Sequence, residues 1–381
     1  MTAPATGGDT GRVPRVLVAP VTVTPTKPLT PSHVKGLLWV DALYKATALV
    51  ADVDLRYSLT TYNVTGQTLG FWEYLDRAGP RVDFATLGED EIGEWYVRYQ
   101  AQPQRPDHRA LLPYRRRVEQ TGWVHPASAR LVDLWVGHYR ALGLHDPGLG
   151  VAQPPASTLA ETVDTLASRS LCLDLRADGG PVYLDATRFG LPLRQIVSPD
   201  GQPNYLACAL RELVPVAAGY DEVVLLYDRE LAEDYLLLDR VLTALGARVS
   251  REVVDRVPID GVVRSSRHGG WQGYTLSAVR DALADGDADD AAVRLGLRLY
   301  FIAVLGRGTQ QSFRVEQLRA AVTRAGRLLA TAPRARLGEV DRFLRRAMGG
   351  HHYVDPYRLT SALLARHGRP PVRELTRLVL V

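Results

Sequence analysis

A strand that runs into a proline-locked turn and then into a helix constrains this chain most. Residues 15–24 read Arg-Val-Leu-Val-Ala-Pro-Val-Thr-Val-Thr, a β-branched apolar run that suits a buried strand. Pro25, Pro28 and Pro31 then exclude regular structure. From Ser32 onward Leu37, Leu38, Val40, Leu43 and Tyr44 recur at helical spacing, with Ser32 the expected N-cap. The first turn region carries Thr30, Ser32, His33 and Lys35. Free backbone N–H groups with added positive charge make such a helix start an anion site. There His33 would donate to a phosphate and stabilise charge that develops on a departing one. A proline-rich turn with an incidental surface histidine is the plain alternative.

The same alternation returns later. Residues 54–63 alternate as a half-buried strand and end in the turn Val64-Thr-Gly-Gln67, a place where open α/β sheets bind ligands. Asn63 and Gln67 would either bind a substrate there or satisfy turn backbone. Residues 69–77, 89–102 and 127–142 read as helices, and their aromatic stripe, including Phe71, Trp72, Trp95 and Tyr96, reads as core. Arg115-Arg-Arg117 reads as a solvated helix face; His125 and His138 lack partners at metal-ligand spacing. Residues 171–176 and 181–185 form a hairpin around Ala-Asp-Gly-Gly. Strands at 221–228 and 247–254 flank a helix over 229–245, the βαβ pattern of a parallel sheet. From Ser277 the chain is nearly all helical, and His351-His352 falls in a loop between helices.

These signals divide the chain into a tail over 1–14, the first half of a nucleotide-binding domain over 15–145, an inserted region over 146–198, the second half over 199–285, and a C-terminal helical domain over 286–381. At 381 residues there is room for two or three cores. No apolar run approaches the roughly 18–20 residues that span a bilayer, and the polar first residues lack a hydrophobic signal region. Two cysteines exclude a disulfide framework and a four-cysteine zinc site, so a reducing cytoplasm is expected. A net charge of +4 is compatible with a polyanionic partner without requiring one.

Lys27-Pro28-Leu29-Thr30-Pro31-Ser32-His33 with Asp41-Ala42-Leu43 resembles the first ATP-binding motif of class I aminoacyl-tRNA synthetases, most closely the arginyl type. Thr30 falls on the motif's first histidine, Ser32 on its glycine and His33 on its second histidine. Asp260-Gly-Val-Val-Arg-Ser-Ser-Arg-His-Gly-Gly270, followed by Thr275-Leu276, is similar to the second motif. There a mobile, Gly-flanked loop brings positive charge onto the triphosphate. Val263 occupies the place of its first lysine. Tyr205 falls on a tyrosine that packs against the substrate guanidinium, and Ala209 falls on the aspartate that pairs with it. Losing that aspartate makes arginine a doubtful substrate unless Glu212 or Glu233 compensates.

The resemblance implies an α/β fold: a Rossmann-like parallel sheet, as in the class I synthetase catalytic domain, with an insertion and a C-terminal helical bundle. It implies catalytic roles for Thr30, His33, Arg264 and Arg267. It implies ATP binding by Thr24, Thr30, Ser32, His33, Ser265, Ser266, Arg267 and His268, and amino-acid binding by Asn63, Gln67, Tyr205 and Glu233. ATP with Mg2+ and an amino acid are the expected ligands, with no resident metal, membrane or DNA partner. The expected activity is formation of an aminoacyl adenylate and transfer to tRNA or a small-molecule acceptor. The short start before the first strand and the modest helical end over 290–367 suggest reduced tRNA-reading parts. Two other readings stay open: a catalytically degenerate synthetase-like protein that binds tRNA or a protein partner, and a nucleotidyl transferase acting on a small molecule.

Overall fold

The computed structural model of the chain describes residues 12–151, 153–263, 266–284, 289–331, 337–365 and 372–381. The chain opens with β1 (Arg15–Pro20), whose four central residues are enclosed, and α1 (Pro31–Thr47). β2 (Asp52–Leu55) runs parallel to β1, with Val16 opposite Val53 and Val18 opposite Leu55. Five helices follow: α2 (Leu59–Asn63), α3 (Gly66–Ala78), α4 (Glu89–Gln100), α5 (His108–Thr121) and α6 (Pro126–Leu142). After α7 (Leu159–Ser168) come three short strands, β3 (Cys172–Asp174), β4 (Val182–Leu184) and β5 (Arg194–Val197), which form an antiparallel sheet of their own.

The chain then rejoins the main sheet. α8 (Tyr205–Leu213) leads into β6 (Glu222–Tyr227), and α9 (Ala232–Ala244) connects it to β7 (Val249–Val253). The order is β2-β1-β6-β7, all parallel. Parallel sheets are covered on both faces, which is why β1 and β6 are continuous apolar runs rather than alternating ones. Leu17, Ala19, Val223 and Leu225 face a core shared with α8 and α9; Val16, Val18, Val224 and Leu226 pack with Leu43 of α1 and with Tyr353. This is a Rossmann-like arrangement. Its strand order reverses between β1 and β6, so a crevice opens at their carboxyl ends, where ligands of open α/β sheets bind.

The remainder is helical: α10 (Leu276–Ala284), α11 (Asp290–Arg298), α12 (Val315–Thr331), α13 (Leu337–Met348), α14 (Pro356–Leu364) and α15 (Val372–Leu375). Buried Arg298 of α11 donates to Asp41 of α1 at 2.5 Å, and the Val354 amide donates to the Thr47 hydroxyl at 3.0 Å. At the amino end of β6, buried Glu222 accepts from Ser250 and from the His352 amide and pairs with His351. The helical part is thereby fastened to α1 and to the sheet. Among the described residues no helix is long and apolar enough to cross a membrane.

Four local expectations are corrected. The strand expected over 54–63 stops at Leu55, and residues 59–63 are helical because the Ser58 hydroxyl accepts the Thr61 N–H and caps a turn. The first strand ends at Pro20, four residues early, with only the Val21 amide still reaching across to the Leu226 carbonyl. Helix α1 begins at Pro31 with Thr30, not Ser32, as its cap, since proline's fixed φ suits the first helical position. The helix expected over 229–245 starts as a 3-10 turn before α9.

Candidate active site

The turn between β1 and α1 is built around His33. The Thr30 backbone N–H donates to His33 Nδ1 at 3.0 Å, and the Thr30 hydroxyl lies equally close. A backbone amide can only donate, so Nδ1 is an acceptor and the neutral ring carries its proton on Nε2. Burial, then the charges of Lys27 and Arg256, push the His33 pKa down to about 3. His33 is therefore a neutral N–H donor at physiological pH. Glu89, buried on α4, braces the turn from behind. It accepts the Leu29 amide at 3.0 Å, pairs with His138 Nε2 at 2.8 Å and accepts from Ser277 at 3.2 Å. Burial alone would raise the Glu89 pKa; these bonds bring it below the usual carboxylate range.

The second motif is tied to the same turn. Ser32 Oγ accepts the Val257 N–H at 3.0 Å and lies 3.5 Å from the Val257 carbonyl, which it faces as a donor. At the far end of the motif the Leu276 N–H donates to the Leu29 carbonyl at 2.8 Å. Between these points Arg267 Nη2 donates to Gln67 Oε1 at 3.1 Å. Gly93 of α4 lets this assembly close up: a Cβ there would lie 2.5 Å from Pro28 and 2.7 Å from Trp271.

These residues open on one cavity of about 380 Å³ at the carboxyl ends of β1, β2 and β6. That is within the roughly 300–1,000 Å³ of small-molecule sites. Of the residues singled out from sequence, Thr24, Thr30, Ser32, His33, Gln67, Tyr205 and Arg267 line it. Thr24 Oγ1 and the Tyr205 hydroxyl are 3.3 Å apart, so the two elements meet at the wall. Asn63 is buried outside the lining, at the end of α2, because the helical turn after Ser58 swings it inward. Glu233 is exposed on the first turn of α9, away from the cavity, and His268 is likewise exposed and outside the lining. Arg264 and Ser265 lie outside the described residues, as does the side chain of Ser266.

Charge in the site comes mainly from residues that sequence reading passed over. Lys27 lines the cavity with its ammonium 5.5 Å from the centre of the Tyr96 ring. Burial, then Arg267 and Arg256, lower its pKa to about 7. Arg256, just beyond β7, is held against the cavity by Asp228 at 3.3 Å and Glu230 at 2.8 Å. Its place at the carboxyl end of a parallel strand was the available signal. Lys35, by contrast, turns away and donates to the Gly308 carbonyl at 3.1 Å. A neutral N–H donor and three basic side chains thus converge on one pocket, an arrangement suited to a polyphosphate.

No protein-family model matches the sequence, and no curated protein matches it. Solved structures do. Arginyl-tRNA synthetase of Thermus thermophilus superposes with a TM-score of 0.57 at 15% identity, covering 97% of this chain and 79% of that one. The chain has the fold of the arginyl-tRNA synthetases. Arginyl-tRNA synthetase from Plasmodium falciparum gives a TM-score of 0.55 at 11% identity, covering 82% of this chain and 56% of that one. At 97% coverage the first superposition takes in nearly the whole of this chain.

Proposed function

We propose that the protein is a class I synthetase-like enzyme that activates an amino acid with ATP to an aminoacyl adenylate and passes the acyl group to tRNA or to a small-molecule acceptor. One observation carries the reading: the Thr30–His33 turn and Arg267, far apart in sequence, face the same cavity at the reversal point of the sheet. In the first step a carboxylate oxygen of the amino acid attacks the α-phosphorus of ATP. The bond to the bridging oxygen breaks, and pyrophosphate leaves with the electron pair. His33 Nε2–H donates to a phosphate oxygen as negative charge accumulates, while Lys27, Arg256 and Arg267 balance it. In the second step a hydroxyl or amine of the acceptor takes the acyl group and AMP departs.

Mg2+ would arrive with the triphosphate, whose oxygens and waters supply most of its ligands. Pyrophosphate exchange with ATP and each amino acid in turn tests the proposal. Absence of exchange with every amino acid, together with absence of ATP binding, refutes it. The degenerate alternative draws on Val263, an exposed apolar side chain where the second motif carries a lysine. It predicts RNA binding that weakens steeply with salt and no exchange.

A further inference from the structure

If the cavity takes an amino acid together with ATP, its walls also constrain which one. Among the described lining residues three are carboxylates, and each is already engaged by a cation of the chain. Asp41 accepts from Arg298 at 2.5 Å and from the His145 amide at 2.7 Å, with Lys45 at 3.2 Å. Asp228 and Glu230 both hold Arg256. In the small recess beside Ala209, buried Glu212 is held by Arg56 at 2.5 Å and by the Thr61 hydroxyl. A guanidinium or ammonium side chain entering the cavity meets no unengaged carboxylate among the described lining residues, and it meets the charges of Lys27, Arg256 and Arg267. A buried cation without a counter-charge is strongly disfavoured.

The cavity does not end at the phosphate-facing turn. It continues along α1, whose residues 33, 36, 37, 40 and 41 line it at the i, i+3, i+4, i+7, i+8 spacing of a single helix face. From His33 to Val40 this arm is roughly 10 Å long at 1.5 Å per residue. Leu55, Tyr57, Leu144 and Pro147 line it too, with Tyr139 and His145 beside them. The Tyr57 hydroxyl accepts the N–H of Val23, which also lines the cavity, at 3.1 Å and is thereby already engaged. The Asp41–Arg298 pair lies at the far end.

We propose that the cavity selects an amino acid with an uncharged, apolar side chain, seated in the arm between α1 and residues 144–147, and discriminates against arginine and lysine. The inference rests on the activation reading above. Calorimetric titration of the full chain with non-hydrolysable sulfamoyl adenosines carrying leucine, phenylalanine or arginine tests it without requiring turnover. The leucyl or phenylalanyl compound binds at least about tenfold tighter than the arginyl one. Val40→Asp, which puts a new carboxylate into the arm, erodes that preference. Equal or tighter binding of the arginyl compound overturns the selectivity while leaving the activation reading intact. An unchanged preference in Val40→Asp overturns the seat in the arm. No binding of any of the three, nor of ATP, overturns the activation reading and this inference with it.

Discussion

The Thr30 amide donates to His33 Nδ1 across 3.0 Å, and this bond fixes which edge of the imidazole a ligand meets. Nε2–H is the edge left over, and it carries its proton whether the solution is at pH 5 or pH 8, since the ring pKa lies near 3. His33→Ala is expected to slow pyrophosphate exchange roughly 10²–10³-fold, the usual effect of removing one preorganised donor, with folding retained. Any inflection of the wild-type exchange rate close to pH 7 should come from Lys27 and persist in His33→Ala. An inflection there that vanishes in His33→Ala would contradict the assigned protonation state.

Lys27 gives a pH signature of opposite character. Its folded pKa, about 7, lies below the ordinary lysine value of 10.5. The unfolded chain therefore holds more protons between those values, and stability rises with pH across that window. The contribution is fully lost once pH falls below about 7. A bound triphosphate would restore the proton. ATP binding should accordingly take up a proton near and above pH 7, and weaken as pH rises from there. Titrations in buffers of different ionisation enthalpy measure the uptake, and Lys27→Met should abolish it.

Glu89 supports the site without lining it. Glu89→Ala leaves the Leu29 amide and the Ser277 and His138 groups without their carboxylate. Each buried donor left unsatisfied costs about 1–3 kcal/mol. Urea unfolding should show a loss in that range or above, and exchange should fall as the turn loosens. Unchanged stability would remove Glu89 from its bracing role.

At the other end of the cavity, Arg298→Met strands the buried Asp41 carboxylate with Lys45 as its remaining cation. Breaking a buried pair on one side costs about 3–5 kcal/mol. The double change Asp41→Asn with Arg298→Met should recover part of the loss, because the stranded charge is gone. A double variant as unstable as the sum of the two single ones would argue against coupling.

How much of this was legible depended on whether a signal was local. The runs at β1 and β6 are apolar without alternation, and that pattern alone marks strands buried on both faces. The Thr30–His33 turn announced itself through its prolines. Residues 59–63 misled because their threonines and aromatic residue suit a strand, while the decisive fact was one hydroxyl, that of Ser58, catching an amide three residues on. Asn63 was placed by an expected strand end and Glu233 by its nearness to Ala209 in sequence, and backbone direction carried one into the interior and the other to the surface. Arg256 and Glu89 act through partners distant in sequence or on other elements, and nothing in their immediate neighbours foretold those pairings.

The stretch that carries Arg267 leaves the segment at residues 29–32 through Val257 and returns to it through Leu276, like a handle riveted to a cup at both ends. On that segment the two ties, at Leu29 and Ser32, lie within four residues of each other and just before His33. The same stretch is also tied to the helical half, where the Phe313 amide donates to the Pro258 carbonyl and the Gly261 amide to the Ser312 hydroxyl, so the imidazole turn, the guanidinium and the helices share one joint.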